Sequence, residues 1–249
     1  MTAIKADKGK VMDYINRLDN YEGSELAAIA QEDQYQLYDE ALCIYKKFGE
    51  TVEAVKVLLY KLNNIRGAQE YAEKTNTPEV WTEVGKAQLD QNMLKESIES
   101  FIKAQNPSMY MAVINIAQTQ ECYEELVQFL LMARETQKQK VIDEELIYAF
   151  ARCGDKHLGD IESFISDPNQ ADLLKVGERC FESKVFLAAK ILFTRVGNNQ
   201  KLAQVYVMLK DYVAAYEAAK KANIPKVWKA VCFTCVRAKE FKTASLCGL

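Results

Sequence analysis

Turn-forming residues are scarce in this chain of 249 residues, which has only 10 glycines and 4 prolines. So few turn formers exclude a fold of many short β-strands and favour long helices with short connections. Hydrophobic residues nevertheless make up 49% of the chain, which is enough to bury a large core. We therefore expect an all-α fold.

Long apolar runs and a strong excess of charge are also lacking. No stretch approaches the roughly 20 apolar residues that span a bilayer, and residues 1–7 lack the apolar region of a signal peptide. Lys and Arg together number 32 against 35 for Asp and Glu, and the two signs are interleaved. We expect a cytosolic chain with no direct membrane insertion and no nucleic-acid partner.

The motifs for phosphate binding and serine hydrolysis are missing as well. The sequence has no Gly-x-Gly-x-x-Gly, no Walker loop and no Gly-x-Ser-x-Gly. His157 is the sole histidine, so no His-based dyad, triad or multi-histidine metal site can form within the chain. It follows Gly154-Asp155 in a predicted link, where we expect it to be solvent-exposed. We predict no catalytic, cofactor-binding or metal-ligating residue, no cofactor, and no enzyme activity.

The seven cysteines are an odd number, and most lie in helical patterns beside apolar residues, as reduced core thiols do. Cys232 and Cys235 form the sole Cys-x-x-Cys. A zinc site would need two more ligands at suitable spacing, and a redox motif would need a βαβ context. Both thiols fall on the apolar stripe of Trp228 and Val231, so we favour core packing and predict no bound metal.

Pairs of acidic residues and one basic cluster are the other polar features. Glu124-Glu125 and Glu144-Glu145 lie near predicted helix starts, where negative charge complements the helix dipole. Arg134, Lys138 and Lys140 form either a patch for an acidic partner helix or a solvated helix end, and we favour the helix end. Neither feature requires catalysis.

What the sequence does have is a regular spacing of its prolines. The gaps are 107 − 78 = 29, 168 − 107 = 61 and 225 − 168 = 57, close to one, two and two multiples of a unit just under thirty residues. Three prolines follow a good N-cap residue, so each proline is predicted to begin a helix at its first position. The prolines and caps are Thr77-Pro78, Asn106-Pro107, Asp167-Pro168 and the uncapped Pro225.

The segments after three of the prolines share one helical face. A large aromatic comes three positions after the proline and a valine six positions after it, offsets that coincide on a helix. An aromatic peptide groove would also use such aromatics, but the shared offset favours the core. The aromatics are Trp81, Tyr110 and Trp228, and the valines are Val84, Val113 and Val231.

Apolar stripes at i, i+3, i+4 and i+7 continue between the prolines, as in Leu126, Phe129, Leu130 and Ala133. Their links are short, so neighbouring helices should form antiparallel hairpins. A single hairpin cannot bury its apolar face, but a stack can, which predicts an α-solenoid. An irregular helical globule would explain the stripes but not the proline spacing.

A longer period lies above the first. Asn76-Thr77-Pro78-Glu79-Val80-Trp81 recurs as Asn223-Ile224-Pro225-Lys226-Val227-Trp228, and 225 − 78 = 147, or five hairpins of about 29 residues. A tetratricopeptide array, at about 34 residues per unit, fits this period poorly.

Several strings in the chain resemble the clathrin heavy chain family. They are Ile15-Asn16-Arg17-Leu18-Asp19-Asn20-Tyr21, Pro78-Glu79-Val80-Trp81, Val176-Gly177-Glu178-Arg179-Cys180 and Cys247-Gly248-Leu249. The resemblance covers essentially the whole chain. It implies one α-solenoid segment over 1–249, with about 1–105 as the later part of one clathrin heavy chain repeat and 106–249 as the next, truncated repeat.

The resemblance also implies a function. Such a chain would be a structural leg segment in the lattice that coats vesicles, on the cytoplasmic face of coated pits and vesicles. Its partners would be other clathrin heavy chain legs and, along the proximal leg, a clathrin light chain. The alternative is an α-solenoid adaptor or tethering scaffold that binds protein partners, for example short peptides in its concave face. We expect the last hairpin to expose apolar surface at Phe241 and Leu246.

Overall fold

The computed structural model describes residues 23–247 together with Met12, Ile15 and Arg17. Apart from Ile15 and Arg17, the string Ile15–Tyr21 of the family resemblance lies outside the described residues, as do the last two residues of Cys247-Gly248-Leu249. Within the described part the chain is helical, without a β-strand, and none of its helices is long and apolar enough to cross a membrane. The predicted all-α class is confirmed.

The chain divides into two compact units, residues 1–119 and 120–249. In the first unit, α3 continues into a short π-helical stretch, Val57–Lys61, and α1 packs on α2 and α5 on α6 as helix hairpins. Its helices are α1 (Gly23–Ala30), α2 (Tyr38–Phe48), α3 (Thr51–Lys56), α4 (Ile65–Thr75), α5 (Pro78–Asp90), α6 (Leu94–Ala104) and α7 (Tyr110–Gln120), which ends at the boundary.

The second unit is built of hairpins α8–α9, α11–α12, α13–α14 and α15–α16, and successive hairpins contact each other, with α9 on α11, α12 on α13 and α14 on α15. This order of contacts is that of a stack, as the α-solenoid prediction requires. The helices are α8 (Tyr123–Thr136), α9 (Lys140–Arg152), α10 (Leu158–Ser166), α11 (Leu173–Glu182), α12 (Phe186–Val196), α13 (Asn199–Met208), α14 (Tyr212–Ala222), α15 (Pro225–Arg237) and α16 (Phe241–Cys247).

Several hairpin links contain a residue other than glycine whose backbone is in the left-handed conformation. In four of them the residue after the left-handed one donates its N–H to a carbonyl five positions back, at 2.8–2.9 Å. This is the bond that closes a helix in the Schellman motif, where glycine is usual. The scarcity of glycine is therefore compatible with tight turns. The left-handed residues of these links are Asn92, Lys184, Lys210 and Lys239.

Pro78 and Pro225 begin helices, as predicted, and the surrounding structure recurs with them. Each is the first residue of a helix of 13 residues. The preceding helix ends in each case at a left-handed asparagine, Asn76 or Asn223, whose N–H bonds the carbonyl four residues back at 2.8 or 3.0 Å. The two positions, 147 residues apart in sequence, thus have the same local structure.

The prediction that every proline begins a helix is wrong for Pro107 and Pro168. The Asn106 carboxamide oxygen accepts from the N–H of Ser108 at 2.9 Å, which forms a turn, and helix α7 begins only at Tyr110. Pro168 follows the end of α10, and the true cap of α11 is Asp172. Even Thr77 makes no capping bond through its hydroxyl.

The predicted apolar stripes form the core. Leu126, Phe129, Leu130 and Ala133 are buried on α8, and the three valines that follow the prolines by six positions are also buried. On α12, Ala189, Leu192 and Phe193 of the i, i+3, i+4, i+7 pattern are buried, whereas Val196, its last position, is exposed because it lies at the end of the helix.

Two of the aromatics predicted for the core are only half-buried. Trp81 is 2% exposed, donates from its indole N–H to Asn76 at 3.2 Å, and has the Lys103 ammonium 4.1 Å from its ring centroid. Trp228 and Tyr110 are half-buried. The ring of Trp228 packs edge-on against Tyr216, with centroids 5.5 Å apart.

Two glycines allow close packing within hairpins. A Cβ at Gly85 would lie 3.0 Å from the Phe101 ring, and a Cβ at Gly177 would lie 2.8 Å from the Phe193 ring. Each phenylalanine is 16 positions after its glycine and fully buried on the second helix of the hairpin. Near Gly85, the Ser97 hydroxyl also donates to the Gly85 carbonyl at 2.8 Å. Glycine is required here by packing, because its φ is an ordinary helical one.

We expect the Trp81→Ala variant to lose about 3–5 kcal/mol of unfolding free energy, as for a large aromatic removed from a core. The Trp228→Ala variant should lose about half as much, because its ring is partly exposed in the native state. Urea unfolding of the two variants checks this order, and equal losses would contradict it.

We expect Gly177→Ala to destabilise the chain by about 1–3 kcal/mol, because the new methyl group overpacks Phe193. This loss should exceed the gain of up to about 1 kcal/mol from the better helix propensity of alanine. Gly159 on α10 is the matched control, because a Cβ at that position would have no atom within 4 Å. Gly159→Ala should stabilise, and a stabilising Gly177→Ala would refute the packing argument.

Candidate functional site

In the second unit, ion pairs between different helices lie along α9. Asp143, Glu144 and Glu145 lie in sequence on α9 and are called here the acidic row. Asp143 and Glu144 are buried, and all three pair with basic side chains of other helices. The row therefore joins successive helices.

Asp143 binds the segment that precedes α11. Its two carboxylate oxygens accept from Arg134 Nε and from the backbone N–H of Gln170, each at 2.8 Å. Arg134 also donates to the Pro168 carbonyl at 3.0 Å, and its guanidinium lies 4.6 Å from the Phe164 ring centroid. The prediction that Arg134 belongs to a solvated helix end is thus wrong, because its donors are used inside the unit.

The other two members of the basic cluster are exposed. Lys140 lies 3.5 Å from Glu144 and 3.6 Å from Asp172, while Lys138 borders the cavity beside Arg134 and Pro168. The cluster is therefore divided between internal pairing and solvent, and it is not one free basic patch.

The sequence predicted that Glu144 and Glu145 complement a helix start, and this prediction is wrong. They are the fifth and sixth residues of α9 and reach across to α11. Lys175 donates to Glu144 at 2.7 Å, and Arg179 donates to Glu145 at 2.6 Å. Burial acts to raise the pKa of Glu144, but the hydrogen bonds from Lys175 and the Asp172 backbone outweigh it and hold that pKa below its ordinary value.

Glu124 and Glu125 do lie in the first turn of a helix, α8, as predicted. Glu124 has further contacts, since it pairs with the ammonium of Lys156, and its Oε2 lies 3.4 Å from His157 Nε2. The hydrogen bond from Lys156 lowers the pKa of Glu124.

His157 is not a solvent-exposed loop residue, which corrects the sequence prediction. It ends a 3₁₀ turn, Asp155–His157, and its side chain is only 20% exposed. Its ring stacks on Phe150 with centroids 5.7 Å apart, and its Nδ1 lies 2.6 Å from a carboxylate oxygen of Asp160. These two contacts fix the ring against α9 and α10.

Glu124, Cys153 and His157 form a compact group, called here the turn cluster. One oxygen, sulfur or nitrogen atom from each lies within 4.8 Å of the others, and this is the only such group of three or more His, Cys, Asp or Glu side chains among the described residues. Burial raises the pKa of the Cys153 thiol to about 11, and the charge of Glu124 adds to the effect. The free thiol is therefore protonated at neutral pH.

Cys232 and Cys235 pack in helix α15, in agreement with the core interpretation. Cys235 is fully buried, and the Cys232 thiol lies 3.8 Å from the Ala244 carbonyl of α16. Both are free thiols. Burial raises the pKa of Cys235, so its thiol is less reactive than the thiol of an exposed cysteine.

Exposed apolar side chains gather on the last hairpin. Phe241 is 64% and Leu246 50% exposed, as the sequence predicted, and Phe233 and Val236 are exposed on α15. An aromatic groove that includes Trp81 is ruled out by the burial of that ring.

The sequence analysis missed both the acidic row and the turn cluster. The available signal was a separation of about one hairpin: 153 − 124 = 29, 175 − 144 = 31 and 179 − 145 = 34. Residues that are one hairpin apart in sequence lie side by side in a stack. Opposite charges or metal ligands at that separation therefore predict contacts. Cys153 and His157, four positions apart, supply the rest of the signal.

Comparison with known proteins gives a single family. The sequence profile of the family described as a region in clathrin and VPS matches residues 1–96 and 101–243. Over 249 residues the chain is 48% identical to the clathrin heavy chain of Drosophila melanogaster and 47% identical to that of Dictyostelium discoideum. It is 41% identical to clathrin heavy chain 2 of Homo sapiens. Each alignment covers 100% of this chain but only 15%, 14% and 15% of these relatives, respectively.

We expect Glu144→Gln to lower the unfolding free energy at neutral pH by about 1–2 kcal/mol, because a hydrogen bond to a charged group is lost from a buried site. The folded-state pKa of Glu144 is depressed below its ordinary value of 4.5. Its contribution is therefore present above that value and lost as the pH falls through the folded-state pKa.

Urea unfolding between about pH 7 and pH 3 tests this prediction, because the range must extend below the ordinary pKa of a glutamate. The difference between the parent chain and Glu144→Gln should shrink as the pH falls. Glu162→Gln is the matched control, since Glu162 is exposed on α10 and should give little change at any pH. A difference that is independent of pH would show that the carboxylate charge is not involved.

Proposed function

The chain belongs to the family of clathrin repeat regions, and we propose that it is a leg segment of a clathrin heavy chain, a structural strut in the lattice that coats transport vesicles. The observation that carries this proposal is the identity of 41–48% over the full 249 residues to proteins named clathrin heavy chain. The chain spans about 15% of the length of those relatives, so it would supply one part of a much longer leg.

The structure of each unit suits a strut. In the second unit, each hairpin buries large apolar side chains against the next, and Phe129, Phe193 and Leu146 are fully enclosed. Such a stack resists bending because any change of angle between hairpins opens closely packed contacts. The acidic row adds charged hydrogen bonds between α9 and α11. Together these interactions favour a semi-rigid element.

A structural role also agrees with the chemistry of the described side chains. Each carboxylate of the acidic row forms an ion pair with a basic side chain of another helix, and these ion pairs join the helices. Cys180 and Cys235 are buried thiols, and burial raises the pKa of Cys180 to about 12, which makes it a poor nucleophile. We therefore propose a structural protein and not an enzyme.

The partners follow from the proposed role. We infer that the segment contacts other clathrin heavy chain legs in the lattice, and that a clathrin light chain lies along it. Its place would be the cytoplasmic face of coated pits and coated vesicles. The repeat division proposed is about 1–105 and 106–249, supported by the recurrence of one local structure at Pro78 and Pro225.

A replacement experiment tests the leg function. In Dictyostelium cells that lack their own clathrin heavy chain, a heavy chain is expressed in which the aligned segment is replaced by this chain. We expect the chimera to sediment with coated vesicles and to restore endocytic uptake. The same chimera with Gly159→Ala should behave alike, whereas Gly177→Ala should reduce recovery because its hairpin packing is damaged.

A chimera that folds and is expressed at the normal level but does not enter coats would refute the leg function. In that case the adaptor alternative gains support if the purified chain binds a defined short peptide. For the light chain, the purified chain on beads is mixed with purified light chain, and we expect retention. Failure of this binding would remove the light chain as a partner and leave the leg function intact.

A further inference from the structure

We propose that the turn cluster, Glu124, Cys153 and His157, is a binding site for one Zn²⁺ ion, with a water molecule as the fourth ligand. The three side chains come from the start of α8, the end of α9 and the 3₁₀ turn that follows it. The site is independent of the proposed leg function, because it depends only on residues of α8, of the end of α9 and of the turn that follows α9.

The donor set selects the kind of metal. A thiolate, an imidazole nitrogen and a carboxylate oxygen are all Zn²⁺ ligands, and three protein ligands plus water is a familiar tetrahedral arrangement. The thiolate disfavours Ca²⁺ and Mg²⁺, which take oxygen ligands. The ligand atoms lie within 4.8 Å of one another, so rotation of the side chains would bring them around one ion without moving the helices.

The orientation of His157 is the independent support for this site. The carboxylate of Asp160 can only accept, so the hydrogen of the neutral ring lies on Nδ1, 2.6 Å away. The Nε2 lone pair is then free for a metal, and Nε2 is a buried atom without a hydrogen-bond partner among the described residues. A carboxylate that orients a metal-binding histidine through its other nitrogen is a common feature of zinc sites.

The turn cluster is accessible to solvent, and a cation that would compete with the metal lies beside it. Glu124 is exposed, which leaves a path from solvent to the site. The ammonium of Lys156 pairs with the same carboxylate and must yield part of this contact to the metal. Binding replaces the Cys153 S–H bond by a zinc–thiolate bond and releases one proton to solvent, so affinity should rise with pH.

Titration of the full chain with Co²⁺, which replaces Zn²⁺ and is visible spectroscopically, tests the proposal. The protein is first treated with a chelator and a thiol reductant, which are then removed. We expect one equivalent of Co²⁺ to produce a thiolate-to-cobalt charge-transfer band, and Zn²⁺ to abolish it by displacement. Metal analysis after dialysis should find one Zn²⁺ per chain.

Variants locate the site. Cys153→Ser should remove the charge-transfer band, and His157→Gln should weaken Co²⁺ binding by at least about 10–100-fold. Asp160→Asn should keep the band but weaken binding by about 10-fold or more, as for a residue that positions a ligand. Lys156→Ala, a change at an exposed side chain, should instead tighten binding because the competing cation is gone.

Two controls separate this site from the other cysteines. Cys122→Ser and the double variant Cys232→Ser with Cys235→Ser should both retain the band and its affinity. Far-UV circular dichroism confirms that each variant is folded. The proposal fails if no band forms, if the band survives Cys153→Ser, or if it is lost in the double variant instead. It also fails if Lys156→Ala leaves the affinity unchanged.

Discussion

The structure depends on one constraint, that a helix hairpin of about thirty residues cannot bury its apolar face by itself. Each hairpin must therefore be covered by the next, and large side chains such as Phe129 and Phe193 are fully enclosed only because a neighbouring helix packs over them. Close packing acts within a hairpin as well, at Gly85 and Gly177. At each glycine a phenylalanine of the second helix crosses the first helix and leaves no room for a side chain.

A stack also determines where charged side chains can meet. Residues one hairpin apart lie beside each other, so Glu144 reaches Lys175 and Glu145 reaches Arg179 across adjacent helices. These pairs lie at the margin of the apolar stripe, where Glu144 is buried but Lys175 stays in contact with water. A half-solvated pair avoids most of the desolvation cost of a fully buried one. The polar contacts therefore fix the register of successive helices without requiring an isolated charge in the core.

Much of this fold could be predicted from sequence because the decisive signals are local and repeated. The stripes, the short links and the equivalence of Pro78 and Pro225 are all visible in the sequence. Pro107 and Pro168 were misjudged because a proline suits a turn as well as a helix start, and the side-chain bond of Asn106 that decides between them is a detail of geometry. The burial of Trp228 was overestimated. Its spacing from Pro225 shows which face of the helix it lies on, but not how completely the neighbouring helices cover that face.

The turn cluster was beyond the sequence analysis for a related reason. The apolar stripes leave little room for chemically active side chains on the hairpin faces, and the turn cluster accordingly lies at helix ends and in a turn. There, Glu124 contributes from one helix start while Cys153 and His157 come from a helix end and the turn after it. Spacing along the chain shows Cys153 and His157 as near neighbours, but only the stack brings Glu124 beside them. In a solenoid, two ligands of one metal site can therefore be separated in sequence by the length of a whole hairpin.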